Sequence, residues 1–498
     1  MLNFFVRNGL VIQIFILAAG YGWIYGGTRP NLLLPVVPWM VALMIEVTLL
    51  FPQQRSSETI GEARSRVWRE LVRDPLLYTT ILLTILLVIP LYNESGLPMM
   101  EVETAKWIPP KPPYPRLPFC CRAREHASQL LWFPPVLCAA LAARHGLLKR
   151  GKRILLEMLC WNGAALAILG FLQRITGATS VYWGAEKYSD FFSTFGYPNV
   201  GGAYFTLLFA LSAGIWFHDA GKKLMGPAVT ESLSVMAEPE PITKTQRMVV
   251  PIALNFCAAI ATLSRAAIIL VTLILIVLGV YMVLGAWQKA QTGTKMKIVA
   301  SLAAVVLFVG LGMTIFASDA LKRELGTLST NAVVERVSGR GQYHVRVARA
   351  IFNDYPVFGV GGWGYPHFQF LYMTPDEIRK MQIIGGANVH NDTVQFLAEQ
   401  GVVGFGLLVV CALLTIIPAV IPIWKRYRES VKTAQPVGFP RFIYCQSPAT
   451  VAVIVGTLGT VAHSLGDLPF RDPAVLLTWF LAWACSPGFI PNVKERQI

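Results

Sequence analysis

A chain of 498 residues that is 54% hydrophobic and only 14% charged, with 13 Trp and 27 Phe, has too few polar residues to cover a water-soluble surface. Its 43 Lys and Arg against 28 Asp and Glu give a formal charge of +15, but no basic patch interleaved with aromatic residues stands out. The excess is therefore assigned to topology and to contact with anionic membrane lipids, and nucleic acid is excluded as a partner. The predicted class is an all-α, polytopic integral membrane protein.

Taken in chain order, the apolar runs fall near Gly9–Gly26, Leu32–Phe51, Leu76–Tyr92, Leu130–Ala143, Ile154–Gln173, Gly201–Phe217, Met248–Leu263, Ala266–Gly285, Ile298–Ala317, Val403–Ile423, Thr450–His463 and Ala474–Cys485. They predict about twelve transmembrane helices. The first run lacks a small-residue cleavage site and is read as a retained helix. Met248–Gly285 is too long for a single span at a rise of about 1.5 Å per residue, so it is read as two helices with a tight turn at Ser264-Arg265. With a cytoplasmic N-terminus, more than half of the Lys and Arg lie inside, marked most sharply by Arg144, Lys149, Arg150, Lys152 and Arg153 and by Lys425, Arg426 and Arg428. The chain 1–498 is expected to be one membrane domain with a large outer loop at 318–402, a flexible inner connector at 225–247 and an extended Pro-rich connector at Ile108–Pro118. Adjacent Cys120 and Cys121 do not suggest a disulfide framework, and no metal-ligand spacing is present, so neither metal nor cofactor is expected.

Polar chemistry collects on the outer face. Arg174, Tyr197-Pro198-Asn199, Arg265, His463, Asp467 and Arg471 fall at helix ends there, and the long loop adds Arg336, Arg340, His344, Arg346, Arg349 and His390. Glu46 and Glu157 both fall toward the cytoplasmic side, leaving few midplane charges for an ion-coupled transporter. Arg174 and Arg471 suit either helix anchoring or substrate contact. Arg265, in a short turn, stays at headgroup depth and can present its guanidinium fork to a phosphate. Arg340 lies between glycines that permit close approach to an anion, with Arg336 as the alternative.

Val345, Ala348 and Phe352 recur at helical spacing, which predicts an amphipathic helix on the membrane-facing surface, ended by Pro356. Gly359 to Gly364 follows no βαβ pattern and reads as a tight turn packed on the membrane face, not a dinucleotide site. Asp392 with Gln395 resembles a capping box, predicting a helix that starts near Asn391 or Asp392 and runs to Gly401. His390 then sits beside a helix N-terminus, whose positive end favours the neutral imidazole that can accept a proton.

His390-Asn391-Asp392 followed by Gln395-Phe396-Leu397-Ala398-Glu399-Gln400-Gly401, the upstream Asp354-Tyr355-Pro356-Val357-Phe358-Gly359, and Leu263-Ser264-Arg265-Ala266 together resemble the O-antigen ligase and polymerase family of bacterial envelopes. The resemblance spans roughly residues 160–485. It implies a GT-C-like, metal-independent membrane glycosyltransferase of the inner membrane, moving a glycan from undecaprenyl pyrophosphate to an acceptor hydroxyl on the periplasmic face. In the same terms, Arg265 and Arg340 match arginines that hold the pyrophosphate and His390 matches the histidine that activates the acceptor. Asn199, Asn391, His463 and Asp467, with Arg174, Arg336 and Arg471, are the accompanying substrate-binding candidates. Where family loops often carry Trp, this chain has Tyr343-His344, and the choice between Arg336 and Arg340 stays open. The acceptor classes are lipid A–core, a growing glycan (polymerase) or a protein; the non-enzyme alternative is a transporter of lipid-linked glycan or solute.

Overall fold

The structure, a computed structural model, describes residues 2–101, 103, 106–185, 190–224, 247–287, 342–384, 388–432 and 447–489. Arg336, Arg340, the expected span Ile298–Ala317 and most of the inner connector lie outside the described residues.

The described chain is mostly helical, its longer helices being α1 (Leu2–Trp23), α2 (Val36–Leu50), α3 (Ile60–Arg73), α4 (Pro75–Val88), α5 (Phe133–Gly146), α6 (Lys149–Ile175), α7 (Pro198–Leu224), α8 (Val249–Ala261), α9 (Arg265–Trp287), α10 (Gln342–Asp354), α11 (Asp392–Lys432), α12 (Pro448–Ser464) and α13 (Pro473–Cys485). A two-stranded antiparallel hairpin, Met99–Glu101 with Lys106–Ile108, lies between α4 and α5. By length and composition, the helices over Pro75–Tyr92, Ala123–Gly146, Lys149–Ile175, Pro198–Asp219 and Asp392–Lys425 are long and apolar enough to cross a membrane. Shorter apolar helices cover Asn8–Trp23, Val36–Leu50, Val249–Ala261, Arg265–Tyr281, Pro448–Ser464 and Pro473–Phe489. Every expected apolar run other than Ile298–Ala317 overlaps one of these.

Helices α7, α12 and α13 form the centre. In α13 every residue from Pro473 to Cys485 is buried. Small residues let α7 and α12 approach closely, Gly456 against Ala210 and Gly214 against Ala452, as between helices whose shared solvent is lipid and whose attraction is mostly packing. At the end opposite the polar cluster, Pro418 cannot donate to the Leu414 carbonyl of α11, and Arg144 Nη2 takes that acceptor at 2.8 Å. The same guanidinium pairs with Asp74, which also accepts His145 Nε2 at 2.8 Å.

Helix α11 is broken at Gly401, whose φ of +61 and ψ of −172 are not helical. The backbone groups freed by the break are taken by the glycine-bearing segment after α10. Val360 and Gly361 donate to the Ala398 and Glu399 carbonyls, while Val402 and Val403 donate to Pro356 and Val357. The turn expected on the membrane face is thus packed on protein: Gly359, at φ +67, lies against the Glu399-Gln400 backbone with no room for a side chain. A second expectation changes for the same reason. The buried stripe of α10 is His344, Val347, Ala348 and Ile351, packed with Tyr365 and Phe368 in a satellite core, so its apolar face meets protein instead of lipid.

Gly401→Ala puts a Cβ into the Val357 carbonyl at a left-handed φ, and should lower stability by at least about 1–3 kcal/mol. Gly406, in the same helix, has open space around it. Its alanine variant should be neutral or stabilised by up to about 1 kcal/mol. Thermal unfolding of the two purified variants checks this, and equal melting temperatures would remove the constraint assigned to Gly401.

Candidate active site

His390 stands immediately outside the start of α11 with φ +55, its side chain 47% exposed. The helix starts where the sequence predicted, but the cap differs. Asn391, not Asp392, is the capping residue, its Oδ1 accepting the Val394 N–H at 3.1 Å. Gln395 reaches back past the cap to accept the Val389 N–H at 2.9 Å. Asp392 is buried and turned toward the α12–α13 connection, where its carboxylate accepts the Phe470 N–H at 2.9 Å. Two more bonds strap this segment to that connection: Asn391 Nδ2 to the Leu465 carbonyl at 2.8 Å, and the Asp392 N–H to the Asp467 carbonyl at 3.2 Å.

The strap brings Asp467 to His390, with Nδ1 and Oδ1 3.5 Å apart. Tyr197, at the entrance to α7, completes the contact: its hydroxyl is 3.3 Å from His390 Nδ1 and donates to Asp467 Oδ2 at 2.9 Å. Asn199 Nδ2 donates to the Tyr197 oxygen at 2.9 Å and also bonds the Asp467 carboxylate. Because the tyrosine hydrogen is committed to Asp467, its oxygen is the acceptor toward histidine. That selects the Nδ1–H tautomer and leaves Nε2 with a lone pair. Desolvation and the nearby Asp467 carboxylate push the Tyr197 phenol pKa upward, so it stays a donor.

Under this cluster lies a buried ion pair. Glu399, fully buried, accepts Arg471 Nη2, the Trp363 N–H at 3.2 Å and Gln395 Nε2 at 3.1 Å. The Arg471 guanidinium lies 5.0 Å from the Trp363 ring centre and 5.1 Å from that of Phe396. Arg471, expected at the surface as anchor or substrate contact, is only 5% exposed and belongs to the support of the helix break. His463 is likewise 2% exposed, at the end of α12 directly beneath the 465–467 turn, and neither ring nitrogen has a hydrogen-bond partner among the described residues.

The turn before α9 is Thr262-Leu263-Ser264, with Leu263 at φ +59, so Arg265 is the first residue of the helix and not part of the turn. This turn packs against Gly202, less than one helical turn beyond Asn199 in α7. Arg174 ends α6 beside it, exposed, with Nη2 3.5 Å from the Ala261 carbonyl that terminates α8. Its geometry is that of a helix-end cap.

Tyr197 and His344 stood in the outer-face polar set, and Gln395 and Glu399 in the motif, but none of the four was assigned a catalytic or substrate-binding role from the sequence. Gln395 and Glu399 sit four residues apart in the recognised motif, which marks one helix face, but the Trp363 and Arg471 partners of Glu399 are distant in sequence. His344 Nδ1 is 2.7 Å from the Tyr365 hydroxyl, and burial together with the nearby His390 pulls its pKa down to about 4.

From the polar cluster an apolar groove of about 220 Å³ runs between α5, α11, α12 and α13. Asp392, Thr393 and Ser464 stand among its lining, and the rest is apolar, including Phe133, Phe396 and Trp479. Among the described residues no group of three His, Cys, Asp or Glu is placed to hold a metal ion.

A bundle of apolar helices with a polar constellation at one end defines a multi-pass membrane protein with a site at its boundary. The constellation includes the motifs named above, and residues 250–409 match the family model described as O-antigen ligase. Over that segment the chain is similar to the O-antigen ligase family, whose members are glycosyltransferase-like enzymes. The match holds Arg265, His390 and Glu399 but ends before His463, Asp467 and Arg471. No curated protein matches the chain.

His344 resists protonation down to about 4, against 6.5 for an ordinary histidine, so the unfolded chain binds a proton more readily between those values. Stability from this packing is complete above about 6.5 and is lost as pH falls toward about 4. Melting temperature measured across this range should fall less steeply in His344→Gln than in the parent; identical slopes would show that His344 contributes nothing.

Proposed function

We propose that the protein is an O-antigen ligase-type glycosyltransferase of the bacterial inner membrane, with its active face periplasmic, that transfers a glycan from undecaprenyl pyrophosphate to an acceptor hydroxyl. The observation that carries this reading is the orientation of His390: its Nδ1 side is occupied by Tyr197 and Asp467, and Nε2 is left to face a substrate. In the reaction, Nε2 takes the proton of the acceptor hydroxyl as that oxygen bonds to the anomeric carbon. The bond from that carbon to the pyrophosphate breaks, and undecaprenyl pyrophosphate leaves with the electron pair. Asp467 steadies the imidazolium that forms, as the carboxylate of a histidine–carboxylate pair does.

Arg265 opens a long helix, where backbone N–H groups and guanidinium both favour an anion. Arg340, matched by resemblance, is assigned the same role. Asp392, Thr393 and Ser464 join the groove to the site, which suits a ligand with a polar head and a long apolar tail. In this reading the arginines neutralise the leaving group, and the step is written without a metal.

His390→Ala should lower transfer by about 100-fold to 10,000-fold while donor binding survives. The measurement is movement of labelled glycan from undecaprenyl pyrophosphate to acceptor by purified protein, with and without EDTA. An alanine variant at the parental rate would falsify the base assignment, and EDTA inhibition reversed by added metal would overturn metal independence. Tyr197→Phe keeps the ring but frees Nδ1, and should reduce kcat by roughly 10-fold with KM little changed. Unchanged kcat would remove Tyr197 from the positioning network.

A further inference from the structure

Next to the proposed site lies a group of aromatic side chains that the transfer step does not use. Tyr25 follows the end of α1, and Tyr182 and Trp183 lie in the connection between α6 and α7. All three are bulky residues at positive φ, 52°, 58° and 54°. Such residues occupy the left-handed region only where surrounding contacts hold them.

The contacts are specific. The Tyr182 hydroxyl donates to the Trp23 carbonyl, and the Trp183 indole N–H donates to Thr176 Oγ1 at 2.9 Å. Tyr25 and Tyr182 meet edge to face with centroids 5.7 Å apart, and the Arg29 guanidinium stands 5.1 Å over the Tyr25 ring. Trp183 is nonetheless 50% exposed and Tyr182 37%. At a membrane interface Tyr and Trp ordinarily turn their polar atoms toward headgroups and water. Here those atoms are spent on the protein, and the ring surfaces are what face outward.

The group is continuous with the site. Thr194 donates to the Gly22 carbonyl, and Gly26 packs against Phe195 and Asp472, just before Tyr197 and just after Arg471 respectively. We propose that Tyr182 and Trp183, backed by Tyr25 and Arg29, form a saccharide-binding shelf on which sugar rings of the glycan substrate stack through their C–H faces. A fixed aromatic face binds such a ring with little ordering of its own side chains.

The proposal rests on the glycan-transfer reading, and its test separates the two. The probe is the free oligosaccharide released from the cell's own lipid-linked glycan by mild acid. Saturation-transfer NMR with the full-length protein in nanodiscs should show sugar-ring protons saturated in the parent, retained in Trp183→Phe and lost in Trp183→Ala. In the transfer assay Trp183→Ala should raise KM for the glycan donor about 10-fold with kcat nearly unchanged. A donor bearing a single sugar should show a smaller effect. Absence of ring saturation in the parent, or an alanine variant with parental KM, overturns the shelf. Saturation in the parent without any transfer would keep the shelf and sink the transfer reading. A loss in Trp183→Ala that is confined to melting temperature would identify the residue as a membrane-interface anchor and overturn the proposal.

Discussion

The break in α11 at Gly401 is the constraint on which the outer half of the molecule depends. An interrupted helix leaves carbonyls and N–H groups that no water reaches, and each must find a partner within the protein. They find it in the Pro356–Gly361 backbone, which in turn places Trp363 over Arg471 and lets the Trp363 N–H reach Glu399. The segment 126–129 backs this loop from the other side, with His126 accepting the Gly362 N–H and Ser128 accepting the Trp363 indole. A side chain at Gly359 or Gly401 would push these layers apart.

The Glu399–Arg471 pair shows how the break reaches the site. Desolvating two charges offsets most of their attraction, so the pair is a poor source of net stability, whereas removing one member would strand the other. Its value is positional. Glu399 also holds Gln395, and Gln395 fixes both Asn388 and the Val389 N–H, the residues immediately before His390. Imidazole orientation is thereby tied to an ion pair more than two helical turns away.

Much of this architecture is written locally and much is not. Apolar runs of membrane length, the stop at Pro356 and the helix beginning at residue 392 follow from hydropathy and propensity, and each could be read along the chain. The motif around His390 also stands out, because polar residues in a run so apolar need a reason. What local reading misjudged was direction. It put the Val345–Phe352 helix against lipid because apolar spacing does not say whether the covering is lipid or protein, and the answer lay in the distant Tyr365 and Phe368. It placed the cap at Asp392 because Asp and Asn cap equally well. It set Arg471 at the surface because Glu399 is separated from it by more than seventy residues. Tyr197 was visible at the α7 entrance, but its reach to His390 depends on how α7, α11 and α12 pack.

The bonds that strap residues 391–392 to residues 465–470 also set a rule for exchanging parts between related proteins. His390 and Asp467, the proposed base and the carboxylate beside it, are supplied by opposite sides of the end of the family-matched region at residue 409. A hybrid joined anywhere between these segments would take His390, Tyr197 and Asn199 from one parent and Asp467 from the other, and inherit whatever mismatch separates their α12–α13 turns. Hybrids should therefore be joined before Tyr197 or after Asp472, so that Tyr197, Asn199, His390 and Asp467 are inherited from one parent.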